Sequence, residues 1–125
     1  RVGSRPCRVF FTGLVADIPG LLRNLDILSV VTYGEAMART VLEGMAAAKA
    51  MIVSDDGGNP EMITHEENGL VVKLDDTPAF IRELRRLISD TGLRKRLATA
   101  ARASAHHYSL ERSTAMMESV FREIK

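Results

Sequence analysis

The chain has 125 residues, 46% hydrophobic and 26% charged, the balance of one globular domain able to bury a core. Seventeen basic residues against sixteen acidic ones leave a formal charge of +1, which excludes a strong electrostatic pull toward nucleic acid or an anionic membrane. The single cysteine, Cys7, cannot form an internal disulfide, and no apolar run approaches the roughly 20 residues that span a bilayer, so a cytoplasmic setting is the default expectation.

The first residues, Arg1 to Arg8, are basic and polar, contain Pro6 and lack both an initiator Met and a signal-like apolar stretch. The sequence therefore reads as a piece of something longer. Val9, Phe10 and Phe11, closed by Thr12 and Gly13, form a short β-rich run and predict a first buried strand. Asp17 and Pro19 then carry helix-start chemistry, and Ile18, Leu21, Leu22 and Leu25 supply the apolar stripe of a helix.

A second apolar run, Ile27 to Val31, is followed past Tyr33 and Gly34 by a helical pattern in Val41, Leu42, Met45 and Ala46. Met51 to Val53 is a third strand candidate, and Asn59-Pro60 predicts an N-cap and a first-turn proline. Gly69 to Val72 is the fourth. From Pro78 onward the pattern is helical, with stripes at Phe80, Leu84, Leu87 and Ile88, at Leu93, Leu97, Ala100 and Ala101, and at Met117, Val120, Phe121 and Ile124 behind Ser109. Strands alternating with helices predict an α/β domain over 1–125, a Rossmann-like parallel sheet of about four strands with flanking helices.

Ligands of open parallel sheets bind at the carboxyl ends of the strands, which directs attention to the loops after Val31, Val53 and Gly13. The first of these carries Glu35, then Ala36, Met37 and Ala38, and runs into a helix containing Glu43. The amino end of that helix offers backbone N–H groups and a positive dipole end, suited to a diphosphate. Carboxylates beside a phosphate site must address something uncharged, and sugar hydroxyls are natural partners because an ionised carboxylate accepts two of them.

Three stretches, Glu35-Ala-Met-Ala-Arg-Thr-Val-Leu-Glu43, Ile52-Val-Ser-Asp and Gly57-Gly-Asn-Pro-Glu61, together resemble the Glu-x7-Glu region of the group 1 glycosyltransferases. The resemblance extends back to Phe11-Thr-Gly-Leu-Val and Asp17-Ile-Pro-Gly-Leu-Leu and forward to Asn68-Gly-Leu-Val-Val and Tyr108-Ser-Leu-Glu-Arg112, in the family's order. It implies part of the carboxyl-terminal, nucleotide-sugar-binding domain of a retaining GT-B enzyme, with the amino-terminal domain and the basic pair that neutralises the diphosphate lying outside this segment. By the same resemblance Glu35 contacts donor-sugar hydroxyls, the backbone at Ala36, Met37 and Ala38 lies near the sugar and diphosphate, and Glu43 holds the ribose. Gly57 and Gly58 match a glycine-rich turn that approaches the donor.

The departures are Ala36 and Ala48, where the family commonly has glycine, and Ala50, where it has proline. If a glycine position needs positive φ, alanine there costs on the order of 1 kcal/mol. If the sheet follows the doubly wound order 3-2-1-4-5-6, the chain starts at strand 3, and an unpaired edge predicts association with another copy or with the absent domain. Asp55 and Asp56 are expected to be solvated loop acids rather than metal ligands, and the fold resembled needs no metal or cofactor beyond its donor substrate. No nucleic-acid partner is expected. The basic run from Arg82 to Arg96 reads as the polar face of amphipathic helices, with peripheral membrane contact as its other use. Two rival readings stand beside the transferase: a non-catalytic nucleotide-sugar-binding or interaction remnant, favoured by the three alanines, and a nucleotide-sugar epimerase on the same scaffold.

Overall fold

The computed structural model describes residues 8–34 and 36–124. Three strands, β1 (Ile27–Val30), β2 (Ala50–Ser54) and β3 (Leu70–Val72), form a parallel sheet in the order β1-β2-β3. Among the described residues six helices accompany them: α1 (Ile18–Arg23), α2 (Arg39–Ala46), α3 (Asn59–Met62), α4 (Thr77–Ser89), α5 (Thr91–Ala105) and α6 (Leu110–Glu123), with a 3₁₀ turn at His106–Tyr108 before the last.

Every residue of β2 is buried, as expected for a central parallel strand covered on both faces. Its side chains alternate between two cores. Met51 and Val53 join Val30, Val41, Met45, Ile63 and Ala101 on one face, under α2 and α5. Ala50 and Ile52 join Leu70, Val72, Leu87 and Leu97 on the other, under α4 and α5. The helix starts are set locally: Asp17 accepts from the Gly20 amide at 2.9 Å, Asp76 from Ala79 at 2.9 Å, Asp90 from Leu93 at 2.8 Å and Ser109 from Arg112 at 3.3 Å. Each cap satisfies a first-turn N–H that the helix itself cannot.

The expected strand at Val9 to Phe11 does not form, so among the described residues the sheet has three strands rather than about four. These residues lie outside any element, and Phe11 is 96% exposed. A strand 3 reaches the sheet only through strands 2 and 1, and none of the described residues supplies either. The outer edge of β1 accordingly has no paired strand among the described residues. Asn59 also departs from expectation. Gly58 occupies the cap position of α3, and Asn59 is the first helical residue, with its side chain 1% exposed.

Ala48 carries the strain that its sequence position suggested. The amide of Lys49 donates to Gly44 O at 3.0 Å and that of Ala48 to Met45 O at 3.0 Å, the pair of bonds that closes a helix in a Schellman turn, with Ala48 at φ +53°. An L-residue in that conformation costs about 1 kcal/mol, partly offset on substitution by the greater entropy of an unfolded glycine. Ala48→Gly should therefore stabilise the domain by about 0.5–1 kcal/mol and raise the melting temperature by a few degrees. An unchanged or lower melting temperature would contradict this.

The turn before β3 is clamped to α4 and α5 by charge. Glu66 lies 2.7 Å from Arg86 and 3.6 Å from Arg96, and Glu83, buried at the base of the cluster, meets Arg86 at 2.5 Å. The Arg86 hydrogen bond holds the Glu66 carboxyl below the usual glutamate range, outweighing its desolvation. A depressed carboxyl stabilises the fold at neutral pH and loses that contribution as pH falls through its folded value. Acid melts of Glu66→Gln should show a shallower fall in stability below about pH 4 than the parent, with a difference at neutral pH under about 1 kcal/mol because the pair is partly exposed.

Candidate functional site

The loop leaving β1 and the turn leaving β2 meet at the carboxyl edge of the sheet. Past Thr32, Tyr33 and Gly34, the first loop reaches Ala36 and Met37 and enters α2 at Ala38, which has no side-chain cap. Ala38 is buried, and its carbonyl accepts from the amides of Val41 at 2.9 Å and Leu42 at 3.4 Å, which fixes the first turn. Met37 is exposed beside it. Arg39 and Thr40, which open the helix, face solvent, so its positive end is open to a ligand.

Gly57 and Gly58 come up against this loop. Gly57 takes φ +60°, a conformation that suits glycine. Gly58 is needed for another reason: a Cβ there would stand 2.0 Å from the Ala36 carbonyl oxygen and 3.4 Å from the Met37 Cα. The structure thus seats Gly58 against Ala36 and Met37, with Gly57 and Ala38 next to them in the chain. Glu35 lies outside the described residues.

Glu43 sits one turn into α2, half-buried. Its carboxylate is 3.6 Å from the guanidinium of Arg39, whose side chain is 91% exposed. An exposed pair at i, i+4 contributes only about 0.3–0.5 kcal/mol, so hydroxyl groups of a ligand can compete for the carboxylate. Glu43 also borders a cleft of about 390 Å³ between α1 and α2, walled by Ile18, Pro19, Leu22 and Ala46. A second cleft, of about 370 Å³, lies between the ends of β1 and β3 and is lined by Val31, Tyr33, Lys73, Asp76 and Phe80. None of the candidate donor-binding residues among the described ones borders that second cleft.

The two neighbouring acids turn out to be fasteners. Asp55 accepts from the Leu74 amide at 2.8 Å, tying the exit of β2 to that of β3, while Asp56 accepts from the Gly34 amide and ties β2 to the loop before α2. No group of three or more His, Cys, Asp or Glu side chains among the described residues is arranged to hold a metal ion. His65 accepts from the Val71 amide through Nδ1 at 3.0 Å and belongs to the turn before β3. No helix is long and apolar enough to cross a membrane among the described residues.

Sequence reasoning missed a buried polar group beneath the loop. The Ser54 hydroxyl donates to Thr32 O at 3.0 Å and accepts from Thr32 N at 3.3 Å and Asn59 Nδ2 at 3.2 Å. Asn68, also buried, accepts from Thr64 N at 2.8 Å and donates to Met62 O and Ser104 Oγ. The available signals were small: a serine ending an otherwise apolar strand, and an asparagine just before Gly69.

A family model described as "Glycosyl transferases group 1" matches residues 6–104. The chain is 35% identical over 100 residues to the N,N'-diacetylbacillosaminyl-diphospho-undecaprenol alpha-1,3-N-acetylgalactosaminyltransferase of Campylobacter jejuni, covering 80% of this chain and 27% of that protein. It spans between 22% and 34% of the length of other curated relatives. Among solved structures, the carboxyl-terminal domain of the group 1 glycosyltransferase LpcC from Francisella tularensis superposes with a TM-score of 0.72 at 31% identity, over 78% of this chain and 52% of that one. HepE from Anabaena in complex with UDP-glucose superposes with a TM-score of 0.71 at 26% identity, over 74% of this chain and 26% of that one. The three-stranded parallel sheet with its flanking helices is thus the Rossmann-like fold of the carboxyl-terminal GT-B domain, and the chain belongs to the group 1 glycosyltransferase family.

Proposed function

We propose that this chain is the donor-binding portion of an enzyme that transfers a sugar, with retention at the anomeric carbon, from a nucleotide diphosphate sugar to an acceptor hydroxyl. The observation that carries the reading is the open amino end of α2, approached by the Gly57-Gly58 turn on one side and followed one turn later by the Glu43 carboxylate. The helix terminus suits the diphosphate, and Glu43 suits a pair of ribose hydroxyls. The apolar wall of Pro19 and Leu22 beside Glu43 suits the base. Glu35 is assigned to the hydroxyls of the sugar.

In this scheme the bond between the anomeric carbon and the diphosphate oxygen breaks, and one to the acceptor oxygen forms on the same face. The protein's part is to position the donor and to stabilise the departing diphosphate. No metal is assigned a step. The setting is cytoplasmic, and lipid-linked acceptors would bring the whole enzyme to a membrane surface. The rest of the cleft and the acceptor site belong, in this reading, to parts of the enzyme beyond these 125 residues, so the chain alone transfers no sugar.

Saturation-transfer NMR of the chain with UDP-glucose, GDP-mannose and ADP-glucose tests the assignment. Saturable binding of at least one donor is expected, with Glu43→Ala weakening it about tenfold or more, the loss of a charged hydrogen-bonding partner of about 1.5–3 kcal/mol. Equal binding by the parent and Glu43→Ala would remove the ribose role. Absence of all binding would favour a non-catalytic interaction module.

A further inference from the structure

We infer that Asp56 and Ser54, two residues outside the ligand-contacting set, are positioning residues for the donor loop, an inference that rests on the donor-binding reading above. Among its described residues the loop between β1 and α2 has no strand or helix of its own from Thr32 to Ala38, yet it must present backbone amides in one arrangement. Three points, one at the last residue of β2 and two in the turn after it, hold the loop. Ser54, fully buried, bonds both the amide and the carbonyl of Thr32. Asp56 takes the amide of Gly34, and Gly58, lacking a Cβ, lets the Ala36 carbonyl seat against it. Asn59 completes the lower anchor by donating to Ser54 Oγ.

These anchors fall at every second residue of both segments: 32, 34 and 36 on the loop, 54, 56 and 58 on the other side. Two of the three, Ser54 and Asp56, are side chains that hydrogen-bond the loop backbone beyond the end of β1, and the third, Gly58, is a close backbone approach without a hydrogen bond. Two further atoms mark the base of this anchor as polar: Thr32 Oγ1 and Asn59 Oδ1 are buried without a hydrogen-bond partner among the described residues. Buried polar atoms are ordinarily satisfied, so retaining these beside the Ser54 anchor costs stability that an apolar strand end would not. The arrangement makes the donor loop dependent on side-chain acceptors and sets it in advance of ligand arrival, which lowers the ordering cost of binding.

The neighbouring acid provides an internal control. Asp55 and Asp56 each accept one backbone amide, but Asp55 fastens Leu74 at the exit of β3 and only Asp56 fastens the donor loop. In titrations with UDP-glucose, GDP-mannose and ADP-glucose followed by NMR, Asp56→Ala should weaken donor binding at least tenfold, with Asp56→Asn, which keeps the acceptor oxygen, recovering most of it. Asp55→Ala should bind within about twofold of the parent. Amide exchange gives a reading that needs no ligand: the Gly34 amide should be protected in the parent and exchange at least tenfold faster in Asp56→Ala, while the Val53 amide is unchanged. Equal losses of affinity in Asp55→Ala and Asp56→Ala, or none in either, would overturn the positioning role. Rapid exchange at Gly34 in the parent would overturn the anchoring itself. If the parent binds no donor while Gly34 is protected and released by Asp56→Ala, the donor-binding reading fails and the anchor stands as a structural feature only, which also removes the positioning role.

Discussion

Gly58→Ala is expected to lower stability by about 2 kcal/mol, within the 1–3 kcal/mol usual for forced overpacking, and to weaken nucleotide-sugar binding at least tenfold. The added Cβ would meet the Ala36 carbonyl oxygen at 2.0 Å and the carbonyl carbon at 3.0 Å. Both are backbone atoms, so no rotamer change relieves the overlap; either the turn after β2 or the loop before α2 has to move. Gly44, on the buried face of α2, offers a contrast. A Cβ there meets Leu28 Cδ2 at 2.4 Å and Met51 Sδ at 3.0 Å, and both side chains have rotamers to explore. Gly44→Ala should therefore cost stability with little effect on the donor, whereas Gly58→Ala acts on the loop that would touch it. A Gly58→Ala protein with parental melting and parental affinity would show that the loop does not rest on this turn.

The largest loss of stability is expected from Ile52→Ala, at about 2–5 kcal/mol, the range found for large-to-small substitutions in cores that relax only partly. Ile52 is fully buried in the central strand, paired on one side with Ser29 and on the other with Leu70, and packed with Leu87 and Leu97 from two helices. No single neighbour can move to fill the space, since each is fixed by a different element. A domain of ordinary stability, about 5–15 kcal/mol, would keep its fold but melt well below the parent. Urea denaturation measures the change directly, and a loss under about 1 kcal/mol would mean that this core is far less closely packed than described.

The architecture was legible in the sequence because its signals are local. Runs such as Met51 to Val53 and stripes such as Leu84, Leu87 and Leu93, Leu97 announce buried faces whatever surrounds them. Asp17 and Ser109 announced helix starts through bonds to amides three residues on. The strand at Val9 to Phe11 failed for the complementary reason: its composition is that of a strand, but a strand exists only with a neighbour to bond. The left-handed turn at Ala48 was suggested only through a resemblance in which glycine is usual there, since nothing in alanine itself signals positive φ.

The candidate site was legible in part for similar reasons. The spacing of Glu43 and the Gly57-Gly58 pair stood out as motif residues. The anchoring roles of Ser54, Asp56 and Asn59 did not, because the groups they bond lie 22 residues away across the sheet or depend on how α3 sits over β2. Gly58 was noticed for closeness to a ligand, whereas its neighbour in the fold is the Ala36 carbonyl. Spacing along a chain reveals which residues share a face; it does not reveal which loops a crossover brings together.

Amide shift mapping of the ¹⁵N-labelled chain titrated with UDP-glucose, GDP-mannose and ADP-glucose locates the donor site residue by residue. Saturable shifts are expected for at least one of these donors, concentrated at Met37 to Glu43 and at Gly57 and Gly58, with Lys73 to Thr77 little changed. Shifts centred instead on the cleft between Tyr33, Lys73 and Phe80, or none with any donor, would contradict the assignment of the amino end of α2 as the donor site.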